Sequence, residues 1–179
     1  MEKPENKIET SPLLTSFLRV NHAGERAAVK IYEGQLKVLG ESRSALALQH
    51  MLDQESQHYN HFNKELKKRQ IHPTLLQPLW DHAAYGLGIA SALLGPQAAM
   101  ACTVAVEEVI EQHYAKQLKN LPEDTSDEIH KLIETCREEE IAHKDTALSH
   151  DANDMKGYKT LTKTVKAGCR LAIWLSERL

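Results

Sequence analysis

The sequence predicts an all-α fold, a four-helix bundle with two additional helices, and three observations carry it. Glycine (8) and proline (6) are scarce among 179 residues and aromatics make up 5%, too few turns and strand-formers for a β-sandwich. Between the few punctuating sites the apolar residues recur with a helical period. Four of the resulting apolar stripes also carry a carboxylate near their middle, which an ordinary core does not tolerate without a partner. The length predicts one domain over 1–179, with a core large enough to fold unaided. A hydrophobic content of 41%, a charged content of 26% and a net charge of −3 exclude an acidic disordered chain and a broadly basic nucleic-acid binder.

The polar start of the chain, 1–12, is expected to be disordered. Segment one, about 13–39, lines up Glu25, Ala28, Tyr32, Leu36 and Leu39, and Gly40 suits its C-terminal cap. Segment two, about 43–69, lines up Leu48, Met51, Glu55, His58, Phe62 and Leu66. A third, about 75–95, is almost uncharged. Segment four, about 97–119, aligns Met100, Thr103, Glu107, Glu111, Tyr114 and Leu118. The fifth, about 126–149, opens on a capping box from Thr125 to Glu128 and carries Ile129, Ile133, Cys136, Glu140, His143 and Ala147. Segment six, about 155–178, presents Leu161, Val165, Gly168, Ala172 and Leu175.

Cys102, Cys136 and Cys169 are odd in number and lack a Cys-x-x-Cys spacing, so they read as small buried residues in a reducing compartment rather than disulfides or a thiolate metal site. The opening residues have neither the blocks of a signal peptide nor the Arg-rich pattern of a transit peptide, which gives the expectation of a cytosolic protein.

Glu55-x-x-His58 and Glu140-x-x-His143 each set a carboxylate and an imidazole on one helix face. With 18 Glu and 10 His, chance alone supplies about one such pair, so the motif by itself is weak. Its arrangement is stronger. Glu25 precedes the first pair and Glu107 the second, and the triplets Glu25/Glu55/His58 and Glu107/Glu140/His143 recur at offsets of 82, 85 and 85. Two such hairpins packed together point six groups inward, a set that carboxylate-bridged di-iron and di-manganese bundles use. Four carboxylates balance two divalent ions, and oxygen-rich ligation with two imidazoles suits iron or manganese better than structural zinc. Glu107 shares a stripe with its apolar neighbours and Glu108 lies about 100° away, so Glu107 is the chosen ligand. Glu111, His22 and His113 lie near the carboxylate layer as further candidates for contact with the site.

These residues resemble the demethoxyubiquinone hydroxylase family of ubiquinone biosynthesis, within the ferritin-like superfamily. The resemblance runs from Phe17 to Leu179 and rests on Arg19-Val-Asn-His-Ala-Gly-Glu25, Asp53-Gln-Glu55-x-x-His58, Ala99-Met-Ala-Cys-Thr-Val-Ala-Val-Glu107-Glu108, Glu140-x-x-His143, Ala167-Gly-Cys-Arg170 and Leu175-Ser-Glu-Arg-Leu179. It implies that Glu25 and His58 ligate one iron and Glu107 and His143 the other, with Glu55 and Glu140 bridging; manganese is the lesser choice. Asn21 departs from the Asp that members often carry, at a position that is not a ligand. The implied reaction is hydroxylation of a polyprenylated demethoxyubiquinol ring with O₂ and two electrons, drawn from NADH or a reductase. The lack of a targeting extension suggests a bacterial form at the cytoplasmic face of the cell membrane, or a chain from which the extension has been trimmed.

Such a substrate resides in a bilayer, so the membrane surface is an expected partner. Residues 83–106 carry no charge. Pro96 and the abrupt Glu107-Glu108 speak against a span, and the expectation is an apolar patch of segments three and four lying on the membrane. Lys156, Lys159, Lys163, Lys166 and Arg170 form a basic stripe suited to anionic headgroups, and Lys64, Lys67, Lys68 and Arg69 form a second cluster. A homo-oligomer or an accessory biosynthesis protein is a further partner to consider. The competing functions are a ferritin-like or rubrerythrin-like ferroxidase or iron store, and a non-enzymatic helical interaction protein.

Overall fold

The computed structural model describes residues 9–179. It contains six α-helices and no strand among the described residues: α1 (Pro12–Leu39), α2 (Ala45–Arg69), α3 (Gln77–Leu93), α4 (Pro96–Leu118), α5 (Asp127–Ser149) and α6 (Tyr158–Ser176), with a short 3-10 turn at Ala152–Asp154. Most of the stretch expected to be disordered lies outside the described residues. Its end is ordered, because Ser11 caps α1 by accepting a hydrogen bond from the Leu14 amide at 3.2 Å while Pro12 opens the first turn.

Helices α1, α2, α4 and α5 form the bundle. Cross-helix contacts descend on one helix as they ascend on its neighbour: His22 and Tyr32 of α1 meet Tyr59 and Met51 of α2, and Asn21 and Tyr32 meet Gln117 and Glu107 of α4. These pairs are therefore antiparallel. Helix α3 lies along α1 and α6 against α4. The α1–α3 approach is so close that a Cβ on Gly88 would stand 2.1 Å from the Ile31 carbonyl oxygen, and one on Gly34 2.5 Å from that of Tyr85.

Two local expectations change. Gly40 does close α1, but at φ −59°, in right-handed backbone; the chain continues into successive tight turns, Ser42 N–H to Leu39 O and Ala45 N–H to Ser42 O, and needs no left-handed reversal. The capping box at Thr125 does not form. Ser126 takes the N-cap position, which sets Thr125 one residue too early, and the Glu128 carboxylate turns to Lys68 at 3.4 Å.

The uncharged run also divides differently from the expected membrane patch. Every residue from Ala98 to Glu107 is buried, because α4 is enclosed by the helices around it and its alanines allow their close approach. Of these two helices only α3 keeps an outward apolar edge, with Leu79 and Leu93 exposed. No helix among the described residues is long and apolar enough to cross a membrane. Two apolar layers fill the bundle, one around Tyr32, Met51 and Met100, the other around Leu18, Phe62, Ile129 and Ile133. The carboxylates lie between them.

Candidate metal centre

All six sequence-selected side chains are buried, and all six converge. Glu25, Glu55, His58 and Glu140 offer ligand atoms within 4.8 Å of one another; Glu55, Glu107, Glu140 and His143 do the same. The two quartets share Glu55 and Glu140. Glu108 points away and pairs with Lys166 of α6 at 2.7 Å, and Glu111 turns to Arg137 of α5 at 2.7 Å, so neither joins the cluster.

The hydrogen bonds sort the donor atoms. Tyr114 donates to Glu25 Oε1 and Tyr32 donates to Glu107 Oε1, leaving Oε2 of each carboxylate facing inward. Both oxygens of Glu55 and of Glu140 are buried without a hydrogen bond, as is Nδ1 of His58 and of His143. Eight ligand atoms thus point into one space without a hydrogen bond, facing only one another, where buried polar atoms are costly. Two carboxylates with one free oxygen, two with both free and two imidazoles fit a pair of divalent ions, the shared residues bridging.

The electrostatics describe the same strain. Burial and the neighbouring Glu55 charge push Glu25 up to about 7, and burial with adjacent carboxylates raises Glu107 and Glu140 well above the usual range. Glu55 runs the other way despite its burial, because His143 and His58 hold it low. Burial opposes protonation of His58, but Glu25 beside it at 3.3 Å raises its pKa. Two imidazoles are too few to neutralise four carboxylates; two divalent cations suffice.

Each imidazole is held from behind. His58 Nε2 meets Glu139 Oε2 at 2.6 Å, and His143 Nε2 meets Gln54 Oε1 at 3.1 Å, so both rings carry their N–H outward and turn Nδ1 inward. From sequence alone Tyr32 and Tyr114 are members of the helical stripes and Gln54 and Glu139 neighbours of ligands, although the signal for their part in the centre is present. Tyr32 and Tyr114 differ by 82, as Glu25 and Glu107 do, and Gln54 and Glu139 differ by 85, as the two Glu-x-x-His pairs do. The internal duplication extends to ten residues.

The remaining candidates have local partners. His22 is buried, packs against the Tyr59 ring at 5.0 Å, and burial with the Arg26 charge lowers it to about 4. His113 does not enter the cluster. Its Nε2 accepts from Gln117 at 2.8 Å, and Gln117 is fixed by a reciprocal amide pair with Asn21 at 2.8 and 2.9 Å. Burial and Lys116 lower His113 to about 4, which keeps it neutral with its proton on Nδ1. Cys102 and Cys136 are buried free thiols, as expected, while Cys169 is partly exposed. Cys136 stands within reach of Glu25 and His58, and burial pushes it up to about 12, which keeps it a thiol.

A cavity of about 430 Å³ opens beside the carboxylates. Glu25, Tyr114, His113 and Asn21 stand in its inner wall. From there it runs between α1, α3, α4 and α6, lined by residues such as Ile31, Leu87, Val106 and Val165, to Trp80 and Leu171. Leu171 and Trp174 at that end are about half exposed, and Leu79 is exposed as well. Of the basic clusters, Lys156, Lys159, Lys163 and Arg170 are exposed on and just before α6, whereas Lys166 is engaged by Glu108. The second cluster is half committed: Arg69 is buried against Glu65 and Lys68 pairs with Glu128, while Lys64 and Lys67 are exposed.

A family model described as ubiquinone biosynthesis protein COQ7 matches residues 12–176, nearly all of the described chain. The chain belongs to the COQ7 family. Among curated members, the human mitochondrial NADPH-dependent 3-demethoxyubiquinone 3-hydroxylase is 46% identical over 166 residues, covering 91% of this chain and 76% of its own. The 3-demethoxyubiquinol 3-hydroxylase of Rhodospirillum rubrum is 46% identical over 168 residues, 93% of this chain and 79% of its own. The 5-demethoxyubiquinone hydroxylase of Saccharomyces cerevisiae is 40% identical over 201 aligned positions, 99% and 86%. These relatives are named for the hydroxylation that the resemblance implies.

Proposed function

We propose that this chain is a demethoxyubiquinol hydroxylase in which Glu25, Glu55, His58, Glu107, Glu140 and His143 hold two iron ions, Glu55 and Glu140 between them. The names of its relatives and its family membership support the reaction. The ligand set rests on the two quartets that share Glu55 and Glu140 and open onto the apolar cavity at Glu25. Iron bound there supplies O₂ activation; the protein supplies the rest.

The cavity takes the quinol ring at its Glu25 end and leaves the prenyl chain to run along Ile31, Leu87 and Val165 toward Trp80 and Leu171. Its apolar wall excludes water from the reacting ring. His113, its Nε2 occupied by Gln117, offers Nδ1–H to a ring oxygen. Tyr114 and Tyr32 steady Glu25 and Glu107 by donating to their outer oxygens. The exposed rim of Leu79, Leu171 and Trp174, beside the lysines of α6, rests on an anionic membrane surface at the cytoplasmic face and takes the substrate from it. A reduced nicotinamide, NADPH in the name of the human relative, or a reductase supplies the electrons.

The test is product analysis with iron-loaded protein, a demethoxyubiquinol analogue, reductant and ¹⁸O₂. One labelled oxygen in the ring supports the reading; iron oxidation without ring product makes the chain a ferroxidase. Glu55→Ala and Glu140→Ala, each of which removes a shared ligand, are expected to abolish product and lower bound iron below one ion per chain. Full activity in either variant overturns the bridging assignment.

A further inference from the structure

The duplicated set around the metal centre is broken at one of its five positions. Glu25 matches Glu107, Tyr32 matches Tyr114, Glu55 matches Glu140 and His58 matches His143, but Gln54 stands where the other half has Glu139. Those two residues do corresponding work, each accepting the outward N–H of the histidine on the opposite helix. The acceptor behind His58 is a carboxylate at 2.6 Å; the one behind His143 is an amide oxygen at 3.1 Å. A charged acceptor makes the shorter, stronger bond, increases electron donation from the far ring nitrogen, and adds a negative charge near whatever that nitrogen binds.

We propose that Glu139 and Gln54 are positioning residues that make the two metal positions unequal, so that the ion beside Glu25 and His58 binds first and more tightly than the ion beside Glu107 and His143. This rests on the two-metal reading above. The tyrosine donors to Glu25 and Glu107 are alike, and Glu55 and Glu140 are common to both quartets, so among these ten residues the Glu139–Gln54 difference is the source of asymmetry. Glu139 is about one-third exposed, which moderates the effect; outer partners of this kind change metal affinity by roughly 10- to 100-fold, and the lower end applies here.

The experiment is titration of the metal-free full chain with Zn²⁺, a diamagnetic probe, while the imidazole ¹⁵N and Cε1–H resonances of His58 and His143 are followed separately. In the wild type the first equivalent shifts His58 and the second shifts His143. Glu139→Gln weakens the first site about tenfold and leaves the second in place, and the exchanged pair Glu139→Gln with Gln54→Glu reverses the order. Both substitutions preserve side-chain shape, and helical circular dichroism verifies the fold. A general loss of packing does not reverse an order. If the wild type takes up two ions and the exchange leaves their order unchanged, the inequality is overturned while the metal centre stands. A wild-type chain that binds no Zn²⁺ or Fe²⁺ overturns both.

Discussion

Glu25 shows how a single residue is tuned by what surrounds it. Its outer oxygen is satisfied by Tyr114, its inner one faces His58 and Glu55, and burial first and Glu55 second raise it from 4.5 to about 7. The linkage follows from that direction. Below about pH 4.5 the group is protonated in both folded and unfolded chains and costs nothing; as pH rises toward 7 the unfolded chain releases the proton and the folded chain retains it, so stability falls, and above 7 the full cost is present. In metal-free protein, Glu25→Gln removes that titration. The variant is expected to match wild type near pH 4.5 and to exceed it by a margin that grows as pH rises to 8, as read from denaturant midpoints across that range. A difference that shrinks with rising pH contradicts the charge assignment.

Among the elements, α3 depends on two residues without side chains. Gly34 and Gly88 let its backbone approach α1 so closely that a Cβ at Gly88 also falls 3.1 Å from the Gly34 Cα. Backbone cannot yield as a flexible side chain can. Gly88→Ala is therefore expected to destabilise by about 3 kcal/mol and to push α3 outward, opening the cavity that α1 and α3 jointly wall. Urea denaturation gives the first quantity, and faster quenching of Trp80 by acrylamide the second. Helix α4 is the contrasting case, since its alanines and Val104 to Val106 pack on all sides and carry Glu107 into the centre.

For the whole molecule, the cavity runs out to Trp80 of α3 and Leu171 of α6, and the exposed Leu171 and Trp174 share α6 with the exposed cations Lys159, Lys163 and Arg170. Binding to vesicles of phosphatidylcholine and phosphatidylglycerol is expected, and it should weaken with added salt as headgroup attraction is screened. Lys163→Glu with Arg170→Glu is expected to reduce co-flotation several-fold, and Leu171→Glu with Trp174→Glu to abolish it, with the fold intact by circular dichroism. Flotation that ignores both pairs would place membrane contact elsewhere. Lys166 was part of the expected stripe, but its ion pair with Glu108 takes it out of this surface.

The helical class, the six segments to within a few residues of their ends, and the six converging carboxylate and histidine positions are legible in the order of residues alone. Helical periodicity and a repeat at 82 and 85 residues are properties of the chain alone, and burying a carboxylate on an apolar stripe has few physical solutions. The remaining features depend on groups far apart in sequence and emerge only when the helices pack. Tyr114 reaching Glu25, Glu139 reaching His58, and Glu108 leaving the centre for Lys166 join different helices, and no local pattern encodes which partner will be nearest. The cavity is of the same kind: four helices each contribute a wall, and its volume is what remains after all of them have packed.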